Sequence, residues 1–519
     1  MTKFIYDPIF GLSRAAALGY PLGSSSLDGC ATGPWGIRAF LERPRTLVRS
    51  TEHILLRSNH WSSTENNSNN SWNVNFNNGN FNNNNKYNSN VVRPVSASEL
   101  DEETKLGWLL AYIDCCTKKK SSIQCSLYRS VCFEDLFELA CEVMNRTYVP
   151  STSQCFVVTR PKLREIFAAN FRDRIVQHWI INRIEPLLEQ RFVSQGNVSF
   201  NCRKGFGTLS AVNALKKDFE EVSAGYTKET YVGKFDMSSF FMSIDTEVLL
   251  SLLIPFIRKY YKGSDIEDLI WVTEVTIRSC PQDNCERRGR KWLWNELSPN
   301  KSLFNNPKGI GMPIGNITSQ LLANFYLSFF DEYMIRLCSK YKVRYRRFVD
   351  DFVIVCNSKS AIKVMRHQAD WYLKEKLHIN LHPDKVYIQE IKKGVKFVGS
   401  VIKPGRIYLS NRTVGGLYKT IIRLESLCNK IVYKSSKNYD ITNELFDLRH
   451  YVCSINSYMG FLIHCSSFRI RLKIFGSLKT FHKVCKVTLD NFDVIKERDE
   501  YNITNYLINK YAPSREKSS

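Results

Sequence analysis

The chain has 519 residues, a formal net charge of +23 and 43% hydrophobic residues, enough length for roughly two to four domains with a sizeable core. The positive excess calls for a polyanionic partner, and no apolar run approaches a membrane span, so nucleic acid is expected and a membrane-spanning role is not. The 16 cysteines lack paired C-x-x-C spacing, which argues against a zinc module or a disulfide scaffold and for free thiols in a reducing cytoplasm.

Residues 1 to about 60 show weak periodicity, with no clean signal peptide in "MTKFIYDPIFGLSRAAALGY". Next comes "NNSNNSWNVNFNNGNFNNNNKYNSN", Asn66 to Asn90, more than half asparagine. Asparagine competes with the backbone for hydrogen bonds, so neither helix nor strand is expected there. From Glu99 the composition becomes globular. "ELDEETKLGWLLAYIDCC" predicts an amphipathic helix with an acidic first turn, and "FEDLFELACEVMNRTY" predicts a second. Strands then alternate with helices from Arg160 to about Ser410. From Asn411 onward, "GGLYKTIIRLESLCNKIV" and "LRHYVCSINSYMGFLIHCSSFRIRLKIF" carry helical periodicity with many Lys and Arg, predicting a basic helical domain.

The acidic residues in this pattern carry the chemistry. "RYRRFVDDFVIV", Arg344 to Val355, sets Asp350 and Asp351 between two strand-like apolar runs, without the Gly or Asn of an ordinary hairpin turn. Adjacent carboxylates repel unless a positive partner sits close, and a divalent cation is the simplest one. In "YVGKFDMSSFFMSIDTEVLL" a third carboxylate, Asp236, ends a strand-like lead, and Thr246 is a plausible cap for the helix that follows. Oxygen ligands converging from separate strands suit two-metal phosphoryl transfer. Alone, however, such a pattern is better read as a solvated acidic turn.

Further motifs occur in order, and with them the chain resembles the reverse transcriptases. "FVDD" is similar to the palm hairpin of that family and "KFDMSSFFMSI" to its first catalytic strand. "GIGMPIGNITSQLLANFYLSFFD" is similar to the loop and helix lining the nucleotide site. "LHINLHPDKVYIQE" and "GVKFVGSVI" resemble the segments after the hairpin, and "RPKLREIFAANFRDRIVQHWI" and "NCRKGFGT" resemble the fingers. The resemblance spans roughly residues 100 to 480. It implies an α+β right-hand polymerase, with fingers, a palm built on an antiparallel sheet, and a helical thumb. The boundaries would be 1–98 for the asparagine-rich segment, 99–230 for N-terminal helices and fingers, 231–410 for the palm with a nucleotide-site insertion, and 411–519 for the thumb.

"PIGNITSQ" and "SINSYMGFLIH" are most similar to reverse transcriptases of diversity-generating retroelements, which copy a template-repeat RNA into cDNA with errors at adenines. Most reverse transcriptases have Gln before Gly in the nucleotide-site loop, and here Ile314 precedes Gly315. An apolar side chain there removes a donor and an acceptor beside the incoming nucleotide, which lowers selectivity; alternatively Ile314 only packs against the fingers. Asparagine codons are adenine-rich, so the 1–98 segment is readable as a template repeat translated in frame, as vestigial, as a piece of a lectin-like fusion, or as a linker.

The resemblance also implies roles. Asp236, Asp350 and Asp351 would be catalytic and would hold two Mg2+ ions. Phe241 would be the steric gate against a 2′-hydroxyl, with core packing as the alternative role for either ring of the Phe240–Phe241 pair. Arg203, Lys204 and the weaker candidate Arg164 would grip nucleotide phosphates, unless they are merely solvated cations. Lys385 would protonate pyrophosphate or lie idle on the surface. Gly315, Ser319 and Gln320 would complete the loop that places template and nucleotide. Lys419, Arg423, Lys430, Arg469, Arg471 and Lys473 would track a phosphate backbone. Expected partners are template RNA and its cDNA, deoxynucleoside triphosphates, and a small basic helical accessory variability protein. The rival functions are a defence-associated reverse transcriptase making cDNA in response to phage, and a catalytically silent RNA-binding scaffold.

Overall fold

The computed structural model describes residues 59–65, 70–75, 80–85, 100–117, 122–159, 162–341, 343–476, 478–487 and 494–511. Much of the 1–98 segment therefore lies outside the described residues. Within it, β1 (Asn59–Glu65), β2 (Asn70–Asn75) and β3 (Asn80–Asn85) form an antiparallel sheet in that order. The expectation of neither helix nor strand is overturned here. The reason is legible in "SWNVN", where asparagine alternates with Trp and Val at the two-residue period of a pleated strand. The register pairs Val74 with Phe81.

Two predicted helices follow, α1 (Glu102–Cys116) and α2 (Cys132–Met144). Asp101 caps α1, its carboxylate accepting from the Thr104 N–H at 2.7 Å. Both helices lie against α3 (Phe171–Ser194), with Trp108 stacked on Trp179 at 5.1 Å between ring centres. Between them in sequence, β4 (Ser153–Val158) and β5 (Arg164–Ala168) pair antiparallel as the fingers sheet.

The palm begins after α4 (Thr208–Val222) with β6 (Tyr231–Asp236). Helix α5 (Thr246–Tyr260) is capped by Asp245 rather than by the expected Thr246. The Asp245 carboxylate accepts from the Glu247 and Val248 N–H groups at 3.0 and 3.1 Å. Thr246 is already helical, and its hydroxyl donates to the Gly309 carbonyl at 2.9 Å. Helix α6 (Ile266–Arg278) leads to β7 (Cys285–Arg288), which pairs parallel with β4 and so joins the fingers sheet although it lies within the palm segment of the chain.

Helix α7 (Ile317–Tyr341), the hairpin β8 (Arg344–Phe348) and β9 (Asp351–Cys356), helix α8 (Lys359–Leu377) and β10 (Tyr387–Glu390) complete the palm. Its sheet runs β10-β6-β9-β8, antiparallel throughout. Strand β9 is buried on both faces, which explains its unbroken apolar run. Phe352 and Ile354 join the main core under α7 and α8, while Val353 and Val355 join a second core with Phe219 of α4. Gly233 lets α8 lie directly on β6, since a Cβ there would sit 2.5 Å from Ile362.

A small antiparallel sheet, β11 (Val395–Phe397), β12 (Ser400–Lys403) and β13 (Arg406–Leu409), leads into the thumb. There α9 (Asn411–Ser436), α10 (Thr442–Leu462) and α11 (Phe468–Gly476) enclose a separate core that includes Leu417, Leu424, Ile455 and Phe475. This is the α+β right-hand polymerase architecture.

Candidate active site

Asp236 is the last residue of β6 and Asp351 the first of β9, and the register sets them directly opposite each other. Asp350 lies beside them in a two-residue turn, because Phe348 pairs with Asp351. The first turn residue, Val349, has φ 56°. A hairpin connection this short needs a positive φ at that position, which Gly usually supplies; a β-branched side chain there is strained. Main-chain bonds fix the trio. The Met237 N–H donates to the Asp350 carbonyl at 3.2 Å, and the His382 N–H to the Asp236 carbonyl at 2.8 Å.

The electrostatics follow from the crowding. Burial, then the charges of Asp351 and Asp236, push the Asp350 carboxyl from the ordinary 3.8 up to about 7, with Arg164 pulling the other way. Burial also raises Asp351, against the pull of Lys234, whose Nζ lies 3.1 Å from its Oδ2. Lys385 donates to Asp236 Oδ2. Lys162 is pushed down by burial first and then by Lys385, Arg164 and Arg412. Cations from fingers and palm thus converge on the trio, and Arg412 in the first turn of α9 acts on Lys162.

With ammonium groups seated on two of its carboxylates, the trio is not arranged as an ion cage, and among the described residues no group of three or more His, Cys, Asp and Glu is. Its donor chemistry nonetheless fits a hard divalent cation: carboxylate oxygens on two adjacent strands and their turn, the turn residue Asp350 driven toward protonation by burial and then by its like-charged neighbours.

Residues 159–402 match the family model described as reverse transcriptase (RNA-dependent DNA polymerase). This stretch is a reverse transcriptase domain. Over 284 residues the chain is 25% identical to Protein YkfC of Escherichia coli (strain K12), covering 49% of this chain and 65% of that protein. It is similar to the solved structure of telomerase from Candida albicans in complex with a TWJ fragment of telomeric RNA, at TM-score 0.39 and 12% identity, over 66% of each chain. It is also similar to truncated apo telomerase from Candida tropicalis, at TM-score 0.36 and 13% identity, over 50% of this chain and 55% of that one. The chain spans under two thirds of the length of each of these relatives.

The other expected residues fall into two sets. Phe240 is buried in the main core, whereas Phe241 is half-buried and packs with Ile314, Phe167, Met242 and Leu303 in a small apolar cluster between palm and fingers. The Ile314 carbonyl accepts from the Phe167 N–H at 2.8 Å. Gly315 has φ +130°, and a Cβ there would lie 2.4 Å from the Phe167 carbonyl oxygen, so only glycine permits this approach of loop to fingers strand. Gln320, in the first turn of α7, accepts from the Cys202 thiol at 3.7 Å, and Ser319 beside it is buried.

The second set is tied up elsewhere. Arg203 is buried. It donates to Glu189 through Nε at 2.9 Å and Nη2 at 2.5 Å, to the Ser199 carbonyl at 2.7 Å and to Asn197 at 2.6 Å, and it stacks over Phe206 at 3.9 Å. It ties its own loop to α3 instead of presenting a guanidinium to solvent. Lys204 is exposed and pairs with Glu185 at 2.6 Å. In the thumb, Arg471 is buried and Lys430 pairs with Glu444 at 2.7 Å, while Lys419, Arg423, Arg469 and Lys473 are exposed. Sequence reasoning missed Lys162, Lys234 and Arg412. A signal existed for the first two. Lys234 stands two positions before Asp236 on one strand, hence on the same face, and Lys162 stands two before Arg164.

Proposed function

We propose that the chain is an RNA-directed DNA polymerase of the diversity-generating retroelement type, copying a template-repeat RNA into adenine-mutagenised cDNA. The observation that carries the polymerase reading is the register of β6 and β9, which sets Asp236 against Asp351 with Asp350 in the adjoining turn. Asp236, Asp350 and Asp351 would hold Mg2+. Bound there, the metal would acidify a primer 3′-hydroxyl and neutralise charge on the transferring phosphate. Lys162 and Arg164 from the fingers and Lys385 from the palm would take the triphosphate. Phe241 would sit beneath the sugar.

Two features support the retroelement reading. Ile314 places an apolar side chain in the cluster with Phe241, where a polar one would add hydrogen-bond selectivity. The strands of the asparagine tract suit a translated copy of a protein-coding repeat, since such a repeat keeps the alternation of the strands it encodes. Template RNA, deoxynucleotides and a small basic accessory protein are the partners of this reading.

Primer extension on the neighbouring RNA with Mg2+ and deoxynucleotides, followed by product sequencing, tests both levels. Asp350→Asn should abolish product while leaving RNA retention nearly intact. Product with an even error spectrum would keep the polymerase and remove the retroelement assignment. No product from the wild-type protein with its RNA and partner would remove both.

A further inference from the structure

Arg347, two residues before the palm turn, is wholly buried, and so is its partner Asp331 of α7. Its Nε and Nη2 donate to Asp331 at 2.7 and 2.5 Å, Nη2 donates also to Asn324 Oδ1 at 2.9 Å, and Nη1 donates to the Val349 carbonyl at 3.1 Å. Asp331 takes a further hydrogen bond from the Tyr345 hydroxyl at 2.7 Å. Asn324 accepts from the Ser199 hydroxyl at 2.7 Å and donates to the Asn201 carbonyl at 3.0 Å. The main chain of Arg347 closes the network, its N–H donating to the Val198 carbonyl at 2.9 Å and its carbonyl accepting from the Phe200 N–H at 3.2 Å.

A buried ion pair is seldom more stabilising than apolar packing of the same volume, so its use must lie in geometry. The geometry in need of support is next to it. Val349 is held at φ 56°, a conformation a β-branched residue keeps only when its surroundings impose it. The Arg347 guanidinium grips the carbonyl of that strained residue, and the next residue is Asp350.

We propose that Arg347 is a positioning residue. By holding the Val349 carbonyl it keeps the turn left-handed, aims Asp350 at Asp236, and locks the turn to α7 and the 197–201 loop through Asn324. The role rests on the polymerase reading for its consequence in catalysis, though not for its effect on the turn.

Arg347→Lys keeps a charge against Asp331, but one ammonium cannot span both Asp331 and the Val349 carbonyl. Mn2+ affinity of the protein without nucleic acid, read by electron paramagnetic resonance, should fall about tenfold. The Mg2+ needed for half-maximal primer extension should rise by a similar factor, with template–primer affinity unchanged. Val349→Gly accepts positive φ without strain, so added to Arg347→Lys it should restore much of the lost Mn2+ affinity. A folded Arg347→Lys protein with wild-type Mn2+ affinity would overturn the proposal, as would a loss that Val349→Gly leaves untouched. If Arg347→Lys does not fold, Arg347→Met with Asp331→Asn removes the pair without stranding a charge and is read the same way. Failure of both to fold makes Arg347 a requirement of the core and overturns the positioning role. Wild-type protein that binds Mn2+ but extends no primer sinks the polymerase reading and leaves the turn result standing.

Discussion

Asp236 and Asp351 are Cα partners on neighbouring antiparallel strands, and Asp350 stands one residue before Asp351, in a turn that only a positive φ at Val349 can close. Three negative groups are thereby held together by backbone pairing, whether or not a cation is bound. Burial and the two neighbours raise Asp350 from 3.8 to about 7, so between those values the folded protein binds a proton that the unfolded chain has released. This contribution to stability is present at low pH and is lost as pH rises through about 7. A bound divalent cation reverses the preference. We expect thermal stability without divalent ions to decline toward pH 7, and saturating Mg2+ to remove that decline. Asp350→Asn should flatten both profiles; superimposable profiles for the wild-type protein with and without Mg2+ would contradict this.

Much of the palm was legible because its signals are local. Apolar runs on either side of "VDD" predicted the hairpin, and the strand-like lead into Asp236 predicted β6. What failed depended on partners distant in the chain or on a weak pattern misread. Arg203 looked like a free cation in a glycine-flanked loop, and Glu189, fourteen positions earlier, takes it inside. Thr246 looked like a cap, and Asp245 one position earlier has the extended backbone a cap needs. Composition hid the strands of the asparagine tract, where the alternating Trp72 and Val74 of β2 carried the period that mattered. β7 joined the fingers because its partner, β4, lies well over a hundred residues upstream.

Gly315→Ala should be damaging beyond its size. Its Cβ would meet the Phe167 carbonyl at 2.4 Å at a φ of +130°, so loop and fingers strand must separate. Strain of this kind costs about 1–3 kcal/mol, equivalent to roughly five- to 150-fold in an equilibrium that depends on the loop. We expect deoxynucleotide KM to rise by about tenfold or more, with template affinity nearly unchanged. A variant with wild-type kinetics would show that the loop does not shape the nucleotide site.

Arg203 and Lys162 should separate cleanly by experiment. Arg203→Ala strips Glu189, Asn197 and the Ser199 carbonyl of their shared donor and should lower stability by about 2–3 kcal/mol. Nucleotide KM should barely move at temperatures where the variant is folded. Lys162→Ala, on a fingers residue near Lys385 and Arg164, should do the reverse, raising KM while leaving Tm unchanged. Equal effects of the two variants on KM would put Arg203 back at the phosphates.

The thumb has its own acid limit. Hydrogen bonds from Lys430 and then Lys434 pull Glu444 from 4.5 down to about 2. A depressed carboxyl contributes stability above its unfolded value, and that stability is lost as pH falls through the folded one. Thumb unfolding, followed by hydrogen exchange across α9 and α10, should accelerate between pH 4.5 and about 2. Glu444→Gln should already exchange faster at pH 7 and should match the wild type at the bottom of that range. An acid profile unaltered by the substitution would show that the three side chains do not carry the thumb's acid sensitivity.

Ile314 is where structure and proposed error rate meet. Its side chain packs against the apolar cluster that includes Phe167, so a polar residue there must either desolvate without a partner or turn toward the nucleotide. Ile314→Gln should therefore weaken the apolar cluster slightly, by roughly 1 kcal/mol or less if the amide reaches solvent. It should also supply the missing donor and acceptor beside the base pair. Sequenced cDNA should then show fewer errors opposite adenines, with overall synthesis within several-fold of wild type. If the amide instead stays among the aromatic rings, stability falls and the error spectrum does not change. In that case any adenine-directed infidelity of the proposed retroelement enzyme would not come from Ile314.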